Sequence, residues 1–366
     1  MAIDRRTLLV QGAAIIAGTL LPLGSANSAS PLRYISAAKR GGDRYCLLVL
    51  TADGTIETEV ALTARGHDVA ISPDERTAIA FARRPGTFAI SLEFSGKRPP
   101  QTLMARSDRH FYGHGVFSPD GRLLYATEND FDAVRGVLGV YDVAAGYRRI
   151  GEFETHGIDP HDILLMPDGV TLCVANGGIE THPDAGRAKL NLDSMRPSLV
   201  FIDRRNGELK ARHEPEGALH LLSIRHLCID GNGTVWFGGQ WEGGSESVPW
   251  IVGHARPDKP IAFCEATAAI GAGLKGYIGS MTTSADGAIV AASAPRAGRV
   301  LYFDAAKGVV AGETKMADVC GIAPAHGSEI ARTSGEGYLQ ISTPSRDDGL
   351  LHRLSDIAFD NHMRKI

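Results

Sequence analysis

His67–Asp74 reads HDVAISPD, His114–Gly121 reads HGVFSPDG and His161–Gly169 reads HDILLMPDG. Each phrase joins a histidine, a short apolar run and a Pro-Asp turn, and a second apolar run follows each turn: TAIAFA at 77–82, LLYAT at 123–127 and TLCVAN at 171–176. Apolar runs of five or six residues on either side of a tight polar turn form β-hairpins, because Asp and Gly accept the backbone angles that the turn imposes. Two weaker copies extend the pattern. Arg225–Gly233 (RHLCIDGNG) keeps the turn and a histidine, whereas Gly279–Gly287 (GSMTTSADG) keeps only the turn.

After a variable loop, each copy is followed by another hairpin, as in 137–153 (VLGVYDVAAGYRRIGEF), 197–213 (PSLVFIDRRNGELKARH) and 298–314 (GRVLYFDAAKGVVAGET). Two hairpins make a four-stranded antiparallel unit. Successive units start near His67, His114, His161, His226, Gly279 and Cys320, which lie 47, 47, 65, 53 and 41 residues apart. Repeats of ~40–50 residues with four strands each are the mark of propeller blades. The ends supply a seventh blade: Tyr34–Leu62 offers three strands without an inner partner, and Ala358–Ile366 offers an inner strand without followers. The expectation is therefore an all-β chain, a single seven-bladed β-propeller over 31–366, closed by pairing the C-terminal strand with the N-terminal strands.

Residues 1–30 read differently. Arg5-Arg6 precede an uncharged apolar run, Thr7–Leu23, and then small residues, the layout of an export signal. Asp4–Leu9 (DRRTLL) resembles the twin-arginine signal, with Leu where Phe is usual. The run is shorter than the ~20 residues of a spanning helix, so cleavage, release and a periplasmic location are expected, with no stable membrane span afterwards. The five cysteines sit in apolar, strand-like settings without CxxC spacing, where free buried thiols are expected. A formal net charge of -4 leaves no footprint for nucleic acid or an anionic membrane.

In a propeller the residue that begins each innermost strand sits at the mouth of the central channel. His67, His114, His161, His226 and His362 occupy or adjoin that place in five of the seven blades, although His114 and His226 stand one residue nearer their turns than His67 and His161. The loops on the same face hold the polar residues Arg83-Arg84, Glu128, Asp130, Gln240, Glu242 and Arg296. The longest of them, 176–198, adds Glu180, His182, Asp184 and Arg187. A long loop on a rigid scaffold is where binding function concentrates. Several neutral imidazoles suit copper, iron or zinc, so these six histidines, with His182 and Glu180 closing over the other five, form the candidate metal set. Arg225, beside His226, is a candidate for orienting an anion or for bracing loops. Three other readings stand beside the metal site. In propellers of the tryptophan-aspartate type a Gly-His pair is structural, which Gly66-His67 and Gly113-His114 fit. Alternatively Glu128, Asp130 and Glu242 hold a divalent cation for lactonase-like hydrolysis, or the face docks a protein. No GxSxG, HExxH, P-loop or CxxCH motif occurs.

The stretches FYGHGVFSPDGRLLYATEND (111–130), PHDILLMPDG (160–169), NGGIETHPDAGRAKLNLDSMRPSLVFID (176–203), DVCGIA (318–323) and FDNHM (359–363) resemble a bacterial family of exported proteins catalogued only as a domain of unknown function. The resemblance implies a seven-bladed propeller of the class that includes quinoprotein amine dehydrogenase heavy chains. It also implies a setting near iron-uptake genes such as those of imelysin-like proteins, hence periplasmic metal-uptake proteins as partners. A looser likeness is to the propeller of nitrous oxide reductase, whose channel-mouth histidines hold a copper cluster; here five blades offer a histidine and no second copper domain follows.

Overall fold

The computed structural model describes residues 31–186, 188–264, 268–347 and 349–366. The export signal expected in 1–30 lies outside the described residues, as does Arg187. The strands form seven four-stranded antiparallel sheets. Six are continuous in sequence and begin with the inner strands Gly66–Ile71, His110–Phe117, Pro160–Leu165, Leu222–Ile229, Ser280–Thr283 and Val319–Pro324, which define blades one to six. Blade seven combines Ile357–Lys365 as its inner strand with Arg33–Arg40, Arg44–Thr51 and Ile56–Leu62. Its seam pairs Tyr34 with Lys365 and Arg40 with Ile357, and Ser36 Oγ–H donates to the His362 carbonyl at 2.7 Å. Each inner strand touches that of the next blade and the seventh touches the first, so the circle is closed. Closure removes the sheet edges that an open array would leave to aggregate.

The repeated phrase works as a hydrogen-bonded turn. In blades one, two and five a serine hydroxyl donates to the turn aspartate, and its oxygen accepts the N–H of the residue that opens the second strand. The pairs are Ser72 with Asp74 and Thr77 (2.7 and 2.9 Å), Ser118 with Asp120 and Leu123 (2.6 and 2.9 Å), and Ser284 with Asp286 and Ile289 (2.6 and 3.0 Å). Blade three has Met166 in the serine's place, and Asp168 instead accepts directly from the Thr171 N–H and hydroxyl at 2.8 and 2.6 Å.

Inner and second strands are buried on both faces because neighbouring blades cover them, and their sequences are nearly continuous apolar runs such as Leu172–Ala175. Outer strands alternate, as in Ile56–Leu62, where one face meets water. Aromatic pairs fill the wedge between blades; Phe81 and Phe111, for example, meet edge-on at 5.6 Å. All five cysteines are free and buried, and burial pushes the Cys46 thiol up to about 11 and that of Cys228 to about 12, so these thiols are inert packing groups. Among the described residues no helix is long and apolar enough to cross a membrane.

Candidate functional site

The five inner-strand histidines meet on the propeller axis. Their rings form one cluster, in which touching pairs have centroids from 4.6 Å (His67 to His362) to 6.1 Å (His114 to His226) apart. Each is 5 % exposed or less. The one-residue offset of His114 and His226 is absorbed by β-bulges. Register breaks between Gly66 and Val69, Phe111 and Gly115, Pro160 and Asp162, and Ile224 and His226. On the seam, Ser36 and Ala38 pair with Met363 and Phe359, leaving Asp360–His362 bulged. A bulge places an extra residue in one strand and re-aims its side chain. Thus every histidine of the cluster lies in or beside an irregularity that turns it toward the axis.

Gly113 is part of the same device. Its φ is +109°, and a Cβ there would lie 2.6 Å from His67 Cδ2. Gly113→Ala is expected to lower stability by ~1–3 kcal/mol through backbone strain and displacement of the ring, seen as a lower denaturation midpoint.

Donor atoms of His67, His114 and His161 all lie within 4.8 Å of one another, and so do those of His114, His226 and His362. His114 belongs to both trios. Its Nδ1 stands 2.9 Å from Asp68 and 3.1 Å from Asp162, so the hydrogen-bond network fixes a proton on Nδ1, and Nε2 becomes a ligand atom when a metal ion displaces the proton it carries. A carboxylate behind an imidazole fixes its tautomer and raises its basicity, the arrangement found behind metal-bound histidines. Burial alone would depress His114, but Asp162 and Asp68 outweigh it and raise it to about 9. Asp68 is held in turn by Arg364 Nε and Nη2 at 2.9 and 2.5 Å. His67 has a weaker version of the same support, with Nδ1 3.4 Å from Asp360. Burial lowers His67 to about 4 and holds His161, His226 and His362 well below the ordinary histidine range. Four neutral imidazoles and one oriented by carboxylates therefore face a common centre.

Six buried nitrogens of this cluster have no hydrogen-bond partner: His114 Nε2, both nitrogens of His161 and of His226, and His362 Nε2. A cavity of about 410 Å³ opens directly above, with His67, His161 and His226 in its floor. Arg84, Lys189, Arg225, Gln240 and Arg296 line its wall, with Tyr112, Tyr277 and Asn361 between them.

The other sequence-derived candidates divide between this cavity and the blade interior. Gln240, Arg225 and His182 line the cavity. His182 stands on its lip, where Nδ1 caps the turn Pro183–Ala185 by accepting the Asp184 N–H, and it belongs to neither histidine trio. Glu128 and Asp130 are not at the mouth. They lie on the strand Leu123–Asp130 and point into blade two, where Glu128 accepts from Tyr141 at 2.5 Å and Arg149 at 2.8 Å. Asp130 pairs with Arg109 at 2.9 Å and Arg135 at 2.7 Å. Glu242 is taken up by Lys189 and, at 3.6 Å, by Arg225. These carboxylates are thus engaged by cations and do not converge. Glu180 is half-buried away from the cavity lining, and Asp184 is exposed.

The residues that the sequence reading missed are Asp68, Asp162 and Asp360, the carboxylates behind the ring. A signal for two of them was present, since His67-Asp68 and His161-Asp162 repeat the same dipeptide at the same blade position. His110, four residues before His114, also lines the cavity, buried beside Phe131 with Nε2 3.0 Å from Asn129.

In comparisons with solved structures, the chain is similar to hydrazine synthase of Kuenenia stuttgartiensis (13 % identity, 87 % of this chain and 91 % of that chain, TM-score 0.60). It is also similar to the periplasmic gluconolactonase PpgL of Pseudomonas aeruginosa (15 %, 92 % and 99 %, 0.61) and to the Cps50 (Swd1) β-propeller domain of Myceliophteria thermophila (12 %, 82 % and 96 %, 0.56). At such identities the likeness is one of fold. No curated protein matches the sequence. Residues 60–366 match the family described as a protein of unknown function, DUF1513, and the chain belongs to that family.

Proposed function

We propose that this chain is an exported, periplasmic binding protein whose axial imidazole cluster holds a transition metal, in the service of copper or iron handling. The observation that carries the reading is the set of six unpartnered buried nitrogens. Leaving a buried polar group unsatisfied costs about 1–3 kcal/mol, so six approach about 6–18 kcal/mol, as large as the whole net stability of a typical domain at about 5–15 kcal/mol. A cation taken by one nitrogen of each ring relieves up to four of the six in one step. A purely structural histidine at a blade joint would instead have its hydrogen bonds made within the blade, which His161 and His226 do not.

Imidazole donors suit copper, zinc, iron and nickel, and copper(II) heads the affinity order for a nitrogen set. The two trios share His114, whose one free nitrogen serves one ion, so they describe a single metal position. Asp68 and Asp162 against Arg364 leave one negative charge behind the ring, which a protonated His114 balances and which a metal ion takes over when it displaces that proton. The lactonase-like alternative needs converging oxygen ligands, and the arginine and lysine partners of Glu128, Asp130 and Glu242 work against it.

The test is elemental analysis of tag-free protein taken from its native compartment, followed by chelation and reloading. One copper, zinc or iron atom per chain is expected. Reloading at a hundred times Kd stabilises the fold by about 2.7 kcal/mol, a rise in Tm of about 4 °C for a domain of this size. Protein that is metal-free as isolated and shows no thermal response to copper, zinc or iron sinks the reading.

A further inference from the structure

The cavity above the imidazole floor has a wall of one sign. Arg84, Lys189, Arg225 and Arg296 line it, while the carboxylates paired with them, Asp159 and Glu242, stand behind the lining. Arg83 lines it as well, and no carboxylate is among the described lining residues, so the charge facing the space is positive. Arg225 is buried, 7 % exposed, and a desolvated guanidinium interacts strongly with an anion brought to it. Arg296 is exposed; its guanidinium carbon lies 4.8 Å over the Tyr277 ring, which fixes its plane at the rim. The Tyr277 hydroxyl accepts from Asn361 at 2.8 Å, so a neutral polar strip links the wall to the floor. The floor contributes the unpartnered nitrogens of His161 and His226.

We infer that this cavity takes a small dicarboxylate or tricarboxylate, with one carboxylate held by the guanidinium wall and another directed to the imidazole floor. The inference rests on the reading of that floor as a metal site, since a second carboxylate is a natural ligand to an ion bound there. Arginine forks match planar carboxylates in bidentate fashion. At about 410 Å³ the space is in the range of small-molecule sites and is more than a lone inorganic ion would fill. The bound species is therefore an organic acid, alone or arriving as its metal complex.

Calorimetric titration of metal-loaded and chelator-treated protein with succinate, the neutral diamide succinamide and inorganic phosphate decides the matter. One succinate per chain is expected, tighter in the loaded protein, with no heat from succinamide. Lys189→Gln combined with Arg296→Gln should weaken succinate about tenfold or more while leaving metal content unchanged, which also shows that the variant folds. Equal binding of succinate and succinamide, or no binding of either to loaded protein, overturns the inference and leaves the metal reading standing. Phosphate binding tighter than succinate overturns the carboxylate assignment. Succinate binding that depends on Lys189 and Arg296 in protein unable to hold metal supports the anion wall and overturns the metal reading.

Discussion

Replacing His161 and His226 together with alanine is expected to abolish stoichiometric metal binding. Each trio loses one of its three donors: His67 and His114 remain of the first, His114 and His362 of the second. Two imidazoles without a third ligand hold a divalent ion far more weakly, and a loss of at least about a hundredfold in affinity is expected. The metal-free variant should be as stable as metal-free wild type or more so. The substitutions remove four unpartnered buried nitrogens, whose penalty at about 1–3 kcal/mol each offsets the cavity that the truncations leave. Asp68→Asn is the companion variant. It keeps all five imidazoles but removes a charge from behind His114, and affinity should fall about 10–100-fold with stoichiometry unchanged. Metal per chain by elemental analysis, with thermal melts of the chelated forms, checks all three statements. A double-alanine variant that retains wild-type metal would remove the cluster from consideration.

Deleting Ile357–Ile366 is expected to eliminate the folded monomer. The deletion takes away the inner strand of blade seven, its whole pairing with Arg33–Arg40 and its contacts with the inner strands of blades six and one. Phe359 and Met363 leave the core that they share with Tyr34, Leu48 and Leu339. Large side chains of this kind are worth about 2–5 kcal/mol each when lost from a core, so these two alone rival the net stability of a domain. The truncated chain should elute as aggregate or as an expanded species on size exclusion. A separately supplied peptide of residues 357–366 should restore compactness if the seam is the sole defect.

The blade count and the closure were legible because turn chemistry repeats. A Pro-Asp or Asp-Gly turn leaves a local mark in blades one to five, and the missing first strand at one end matches the surplus strand at the other. The clustering of the histidines was legible only in outline. A bulge is a property of pairing between strands, and its displacement of His114 and His226 toward the axis has no local signature beyond Gly113 and the unequal spacing. Glu128 and Asp130 misled for a related reason. Their polarity and their place near a loop suit a binding surface, yet they end a strand to which Arg135 is supplied across the next turn and Arg109 and Arg149 from about 20 residues away in the chain. Charge pairing across strands is a fact of register, which composition does not carry. The carboxylates behind the ring depend on contacts between different blades and so lie further still from local sequence.

His114 belongs to blade two, but its two carboxylate partners come from blade one and blade three. The repeating unit of the architecture is therefore not the unit of the site. Blades arise by duplication, and a duplicated blade brings its own hairpins and turns wherever it is inserted. It cannot bring this site, because the cross-links that orient His114 exist only between three particular neighbours in one order. An extra blade slipped into that arc, or two blades exchanged, would preserve a sound propeller and erase the centre. Lineages that vary blade number are thus expected to do so on the far side of the ring, around blades five and six, where no histidine is at stake.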